Sequence, residues 1–470
     1  MRLRIINNFI LLALIGFSFE GSSQTLNEAK ELLSTGECEQ AAEILRAVIS
    51  AKPKDGEASY QLGLALQCIG AIDEAQKSFK SAAEKGWNEA YLELAEIALD
   101  KYEIETAESY IEKYRAGLKK GKKIIAEDNS GDFDDRLDRI TAMLERVEKI
   151  VIIDSVEIDQ ESFLKAYNLA RKTATLTLPQ EILPKGTPYA DPTVVFETGD
   201  SRERMWAMQN DNNAFELVTS SALFGNEWDT PVSLGDVLNE GGDANYPFLM
   251  SDGMTLYFAN DGQNSIGGYD IFITRRDGEE FLQPTNLGLP YNSPFNDYML
   301  AIDETQGIGW WATDRNQHPG KVTVYTFIPS DMRINYDIND ASLKSRARID
   351  SYRATWDDKN YEPFLMSLSS NTNAIRMSSD TQFSISIPNK GVYKTLNQFN
   401  NREAKELAQL FIDNLTNLHK DNANLKELRK RYSKGEKGVA SQILELESST
   451  EELRKELSNL KNEIIILESN

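Results

Sequence analysis

The sequence predicts a multidomain α + β protein with an N-terminal α-helical repeat, central all-β repeats and a C-terminal long helix. Three patterns support this class. Residues near the N-terminus recur with a period of 34, short strand-and-turn segments in the middle recur 53 positions apart, and apolar residues near the end alternate by three and four. A chain of 470 residues is long enough to hold several domains.

The chain is strongly acidic, and this limits its partners. It contains 74 Asp and Glu residues against 51 Lys and Arg residues, which gives a formal net charge of −23 at pH 7. Such a surface repels the phosphates of nucleic acids and the headgroups of anionic lipids. We therefore expect no nucleic-acid binding.

Residues 1–23 are predicted to be a cleavable signal peptide. Residues 1–4 carry positive charge, residues 5–17 are mostly apolar, and residues 21–23 are small. The apolar run is too short for a membrane-spanning helix, and no later segment offers about 18 consecutive apolar residues. We expect cleavage before Gln24, no integral membrane span, and export to the periplasm or an outer-membrane-associated location. A buried first helix is the alternative.

Residues 24–125 contain the helical repeat. Gly36 matches Gly70, and Leu45 matches Phe79, each 34 positions on, and a looser third copy follows in AYLELAEIALDKYEIETAESYIEKYRA. Glycines end the first helix of each pair, small residues let the paired helices approach closely, and bulky residues fill the space toward the neighbour. The motif residues of the second copy are Leu62, Gly63, Gly70, Ala75, Phe79 and Ala82.

These motif residues resemble the tetratricopeptide repeat (TPR). The resemblance implies stacked antiparallel helix pairs with a concave face that binds peptides or partner domains. Helical spacing directs four candidate partner-binding residues toward that face: Tyr60, Gln67, Glu89 and Glu96. The alternative is that these side chains are merely solvated and that the repeats support the next domain.

The chain has two cysteines, Cys38 and Cys68. They do not form a CxxC pair, which excludes a zinc site made of cysteines. Cys38 is predicted at the turn between the helices of the first repeat and Cys68 near the end of the first helix of the second, so stacking places both at one edge. A disulfide is one interpretation, and two buried free thiols are the other.

Residues 126–185 are interpreted as a connector, and residues 186–330 as the β repeats. The connector begins as an amphipathic helix and continues into IVIIDSVEI, a β-branched run typical of a strand. In the β region, WDTPVSLG matches FLQPTNLG and LYFAND matches GWWATD, each 53 positions on. Ser251, Asp252 and Gly253 suit a tight turn between two strands.

The words YPFLMSDGMTLYFANDG and GGYDIFI resemble the WD40-like repeat (PD40) of the periplasmic Tol-system propeller protein and of many bacterial envelope proteins. The resemblance implies a β-propeller. The region holds three units, whereas a closed propeller typically has four to eight blades. Strands from residues 150–160 and 362–393 could supply more.

Residues 331–400 are predicted to form a helix and a β-hairpin with its turn at residues 389–391, and residues 401–470 a helical coiled coil. A heptad seam supports the coiled coil. It consists of Val439, Ile443, Leu446, Thr450, Leu453, Leu457, Leu460, Ile464 and Leu467. We expect self-association through residues 439–467, and the alternative is an antiparallel hairpin within one chain.

Few residues in the sequence suggest chemistry. The chain has two histidines, His318 and His419, and it lacks the GxSxG, HExxH and GxxxxGK[ST] motifs. The segment NDGQNSIGGYD is rich in oxygen ligands but lacks the acidic spacing and the closing Glu of an EF-hand loop. We therefore expect no enzyme, no catalytic residues, no cofactor and no metal site.

The order of these parts resembles envelope proteins of Gram-negative bacteria related to type nine secretion and outer-membrane assembly. Relatives often end in an OmpA-like peptidoglycan-binding domain, whereas this chain ends in a coiled coil, so peptidoglycan anchoring does not carry over. The resemblance implies a non-catalytic exported scaffold or adaptor that binds envelope proteins. The alternative is a glycan- or cell-wall-binding module that uses exposed Trp206, Trp310 and Trp311.

Overall fold

The protein is described by a computed structural model that covers residues 22–120, 123–124, 126–223, 227–239, 241–278, 280–330, 332–357, 359–365, 385–388, 390–393, 395–433 and 436–469. The first 21 residues of the predicted signal peptide lie outside this part of the chain. Contacts divide the chain into two compact units, Met1–Leu99 with Glu103–Gly131 and Asp100–Tyr102 with Asp132–Asn470. Helices, then antiparallel sheets, then a long helix follow one another, which confirms the predicted multidomain α + β class.

The first unit is built from helices and one short hairpin. Its elements are α1 (Ser22–Ser34), α2 (Cys38–Ala51), α3 (Gly56–Cys68), α4 (Ile72–Glu84), α5 (Glu89–Asp100), α6 (Ile104–Gly117), β1 (Lys119–Lys120) and β2 (Lys123–Ile124). Gly36 and Gly70 adopt positive φ angles of 82° and 77° at the ends of α1 and α3. Only residues without a Cβ adopt this conformation readily, which explains why glycine recurs there.

Gly63 on α3 sets the distance between α3 and α4. A Cβ atom at this position would lie 2.4 Å from the ring of Phe79 on α4. Phe79 is fully buried, with Leu45, Ala75 and Leu94 in the same apolar core. The small residue and the large one are therefore complementary, as the sequence pattern predicts, and a side chain at position 63 would overpack the core.

The main part of the second unit begins with α7 (Phe133–Leu144), and its described residues form three larger antiparallel sheets and one two-stranded hairpin. The strands of the first sheet are β4 (Ala174–Thr177), β5 (Val195–Thr198), β6 (Glu203–Gln209), β7 (Phe215–Ser221) and β8 (Val232–Ser233). Those of the second are β9 (Ala244–Leu249), β10 (Thr255–Asn260), β11 (Asp270–Asp277), β12 (Glu280–Phe281) and β13 (Thr285–Asn286). The third is ordered β14 (Asp297–Asp303), β15 (Ile308–Thr313), β16 (Lys321–Ile328) and β3 (Val151–Asp159).

Short helices join and follow these strands. They are the 3₁₀ helix Gln160–Ala166, α8 (Pro179–Ile182), α9 (Asp236–Asn239), α10 (Leu343–Arg348) and the 3₁₀ helix Tyr352–Trp356. The described residues between 151 and 328 thus hold three antiparallel sheets, in agreement with the predicted central β region. The strand expected near residues 150–160 is β3, and it joins the third sheet by pairing with β16.

The 53-residue repeat has a structural cause. Strands β10 and β15 start 53 positions apart, at Thr255 and Ile308. In each copy of the repeat, the side chain of the last Asp accepts a hydrogen bond from the backbone amide just before the first strand of the pair. Asp261 accepts from Asp243, before β9, at 2.7 Å, and Asp314 accepts from Asn296, before β14, at 2.8 Å. The final Asp of LYFAND and GWWATD therefore ties the two ends of a strand pair together.

Aromatic side chains fill the space where the second and third sheets meet. The rings of Tyr246 on β9 and Tyr298 on β14 stack with their centroids 4.7 Å apart. The ring of Phe163, from the 3₁₀ helix after β3, contacts both edge-on, at 6.3 Å and 5.4 Å. These residues belong to one apolar core that includes side chains of all three sheets. The sheets therefore form a single packed body.

The C-terminal part forms a helical tail, which we define as residues 385–469. It consists of the hairpin β17 (Ile385–Ile387) and β18 (Gly391–Tyr393), the 3₁₀ helices Leu396–Gln398 and Lys437–Val439, α11 (Arg402–Ser433) and α12 (Ala440–Ser469). The hairpin predicted within residues 331–400 is thus present and packs on α12. Of residues 362–393, which could have supplied further strands to the sheets, the described part forms this hairpin, and residues 366–384 lie outside the described residues. The predicted turn residue of the hairpin, Asn389, also lies outside the described residues.

Helices α11 and α12 pack against each other as an antiparallel pair. Leu457, Leu460 and Ile464 of the heptad seam are buried in one core with Ala404 and Phe411 of α11. The seam is thus covered by the chain's own helix, because a helix of similar length and apolar pattern precedes it. This is the hairpin alternative, and the described residues do not show the self-association predicted through residues 439–467. No helix in the described part of the chain has the length and apolar content needed to cross a membrane.

Glu468, near the end of α12, is hydrogen-bonded to the start of α11. Its side chain, with the residue only 1% exposed, accepts hydrogen bonds from the backbone amides of Asn400 and Asn401, both at 3.0 Å, at the start of α11. Burial alone would raise the pKa of the Glu468 carboxyl. The hydrogen bonds outweigh burial, so this pKa lies below the ordinary value of 4.5.

We predict that Glu468→Gln lowers the free energy of unfolding of the helical tail by about 1–3 kcal/mol at neutral pH, because a charged acceptor of two amides is lost. Since the folded-state pKa is lowered, the contribution of Glu468 is complete above pH 4.5 and is lost as the pH falls below it. Hydrogen exchange at residues 400–404, corrected for intrinsic rates, measures this. Glu456→Gln on the exposed side of α12 is the control. Equal effects of the two changes would contradict the prediction.

Candidate functional site

The candidate partner-binding residues lie on the first helices of successive helix pairs. Tyr60 and Gln67 are on α3, two helical turns apart, and Glu89 and Glu96 are on α5 at similar spacing. Glu89 is exposed, and the other three are half-buried. An ion pair between Lys30 on α1 and Glu57 on α3 connects the first helices of the first two pairs. We call the surface formed by Tyr60, Glu89, Glu93 and Glu96 the acidic face.

Tyr60 and Glu93 hold the centre of the acidic face. The Tyr60 hydroxyl donates a hydrogen bond to Oε1 of Glu93 at 3.1 Å. The Tyr60 ring lies between Phe79 and Trp87, with centroid distances of 5.7 Å and 5.8 Å. Because two aromatic rings fix the Tyr60 ring, its hydroxyl and the Glu93 carboxylate are held in place before any partner arrives.

The electrostatics of the acidic face disfavour negative charge at Glu93. Burial raises the pKa of Glu93, and the charge of Glu96 raises it further, while the hydrogen bond from Tyr60 lowers it. Burial also raises the pKa of the Tyr60 hydroxyl, with the charges of Glu93 and Glu89 adding to the effect. Within the described residues, neither Glu89 nor Glu93 forms an ion pair. The face therefore holds carboxylates that a cation would stabilise.

The structure places Tyr60, Glu89 and Glu96 near one another, and Glu93 and Trp87, which the sequence analysis did not select, lie beside them. Glu93 could have been found, because it lies four residues after Glu89 and three before Glu96 and so shares their side of α5. Trp87 precedes the helix and carries no periodic signal. A second aromatic group, Tyr91 and Tyr110 with Lys113 5.9 Å and 5.2 Å from their ring centroids, also gave no signal.

Cys38 and Cys68 form a disulfide in the structure, with their Cα atoms 6.1 Å apart. Cys38 is the first residue of α2 and Cys68 the last of α3, so the bond joins two helix ends at one edge, where helix stacking places them. Cys38 is buried, and Cys68 is exposed. The bond links two successive helix pairs covalently.

The expectation that Trp206, Trp310 and Trp311 are exposed is wrong. They are 1%, 2% and 0% exposed. Trp206 donates its indole N–H to the carbonyl of Pro188 at 3.0 Å. Trp310 and Trp311 are consecutive on β15 and point to opposite faces, but all six residues of β15 are buried because both of its faces are covered. These side chains cannot stack on a glycan, so the three residues on which the glycan-binding alternative depended do not support it.

The described residues contain no group of three or more His, Cys, Asp and Glu side chains arranged to hold a metal ion. In comparisons with protein-family models, curated proteins and solved structures, no match to this chain was found. The function must therefore be argued from the residues themselves.

We predict that the Cys38–Cys68 bond stabilises the first unit by about 3–4 kcal/mol, because it closes a loop with a sequence separation of 30 in the unfolded chain. The double change Cys38→Ser with Cys68→Ser should speed hydrogen exchange in α2 and α3, and a reductant should do the same to the unchanged protein. The mass of the intact protein after alkylation without reductant should not change. Full alkylation under those conditions would contradict the bond.

Proposed function

We propose that the chain is a non-catalytic exported scaffold, or adaptor, that binds partner proteins in the cell envelope, in secretion or in outer-membrane assembly. The observation that carries this proposal is the acidic face, where Tyr60 fixes a half-buried Glu93 carboxylate among further glutamates. Such an arrangement offers recognition without groups for covalent chemistry.

The partner is expected to present a basic segment to the acidic face. A Lys or Arg side chain placed over Glu93 would remove the cost of holding that carboxylate charged, and the aromatic rings of Tyr60 and Trp87 would contact its aliphatic stem. Opposite charges would also speed the encounter and set the register of the partner.

Two further features support the finer parts of the proposal. The complementary Gly63 and Phe79 support the assignment of the helix pairs as tetratricopeptide repeats. The 53-residue recurrence of β10 in β15 supports WD40-like units. The Cys38–Cys68 bond supports an oxidising compartment such as the periplasm, because disulfides persist there and are rare in the cytosol.

In-cell photo-crosslinking tests the proposal. A photoreactive residue is placed at Glu89, on the acidic face, and in a second strain at Lys80, which is exposed on α4. We expect a discrete protein adduct from position 89 that is absent from position 80. The adduct should fall by about tenfold or more with Glu93→Gln, which keeps the shape of the side chain but removes its charge.

Glu43→Gln, at an exposed position on α2, is the matched control and should leave the adduct unchanged. The same adducts from positions 80 and 89 would contradict the proposal. So would an adduct that is unaffected by Glu93→Gln.

A further inference from the structure

The helical tail and the three sheets have separate apolar cores. The core of the sheets runs through side chains up to Phe364 and Leu365. The core of the tail is formed by residues from Ile385 to Leu467 and shares no side chain with it. Within the described residues, the two parts therefore pack around separate apolar cores.

Two arginines of the tail contact one turn of the second sheet. Nη1 of Arg454, on α12, lies 3.9 Å from Oδ2 of Asp252. Nη1 of Arg429, on α11, donates to Sδ of Met254 at 3.1 Å. Asp252 and Met254 belong to the turn between β9 and β10. Both contacts are polar and approach the turn from helices of one hairpin.

The turn between β9 and β10 is held in place by hydrogen bonds within the turn. Oδ1 of Asp252 accepts hydrogen bonds from the backbone amides of Met254 at 2.7 Å and Thr255 at 2.9 Å. Its other oxygen accepts the Thr255 hydroxyl at 2.8 Å. The carboxylate is therefore held in position whether or not an arginine is present.

A second carboxylate makes this turn more acidic. The hydroxyl of Ser251 donates to Glu304, which follows β14. The surrounding protein raises the pKa of Glu304, and the charge of Asp252 raises it further, while Arg454 lowers it. Glu304 still contacts solvent, which weakens these effects. We call Ser251, Asp252 and Glu304 the acidic turn surface.

We propose that the helical tail is detachable from the turn between β9 and β10, where it covers Asp252 and is held by the Arg454–Asp252 ion pair, which salt weakens. Partly exposed ion pairs are individually weak and are screened by salt. Since the described residues of the tail and of the sheets pack in separate apolar cores, release of the tail leaves both cores intact. Asp252 is then paired with Arg454 in one state and open to another basic group in the other, next to the solvent-exposed Glu304.

Single-molecule energy transfer on the full chain tests this inference. Donor and acceptor dyes are attached through genetically encoded azide residues at Leu444 on α12 and Val232 on β8, which are 67% and 61% exposed. The two cysteines remain in their disulfide. At about 20 mM salt we expect a dominant docked population, and at about 500 mM a second population with a different transfer efficiency.

Arg454→Glu should shift the ratio of docked to released molecules by about fivefold or more at low salt. Arg402→Glu makes the same charge change on α11, at a side chain that is 93% exposed and pairs with Glu406, and should leave the ratio unchanged. A single population whose transfer efficiency changes neither with salt nor with Arg454→Glu would overturn the proposal. Equal shifts with Arg402→Glu would also overturn it, since a general charge effect would then suffice.

Discussion

The pairing of β3 with β16 is the constraint on which the sheet unit depends. It joins Val151 to Ile328 and Asp159 to Lys321, so the strands of the first and second sheets lie in the intervening chain. Closing so long a loop costs conformational entropy, which the ladder and the common apolar core must offset. The outer edge of β3 is covered at Ile152, whose amide donates to the Thr355 hydroxyl at 2.9 Å and whose carbonyl accepts the Trp356 indole N–H at 2.6 Å.

Local patterns in the sequence predicted local structure well, and long-range partners poorly. Gly36, Gly70 and the complementary Gly63 and Phe79 predicted the helix pairs, because chain geometry alone requires glycine or a small residue there. The partner of β3 could not be predicted, since a β-branched run pairs with any suitable edge. The heptad seam of α12 left the choice between its own chain and a second chain open, because both bury the same side chains.

The candidate site shows the same division. Helical spacing grouped Tyr60, Glu89 and Glu96, but burial was not readable from the sequence. Trp310 and Trp311 are consecutive and point to opposite faces of β15, so one of them would be exposed on a half-exposed strand, yet both faces of β15 are covered. The acidic face that we propose for partner binding lies in the helical unit, while the large aromatic residues of the sheets stabilise their core.

Native-state hydrogen exchange on β3 tests most directly whether the β3–β16 pairing closes the sheet unit. The amides of residues 151–159 should exchange through the same opening reaction, with the same free energy, as those of β10 and β15 at the centre of the second and third sheets. That result is expected if β3 is an integral part of one cooperative body. Fast exchange throughout β3 while β10 and β15 stay protected would contradict the account.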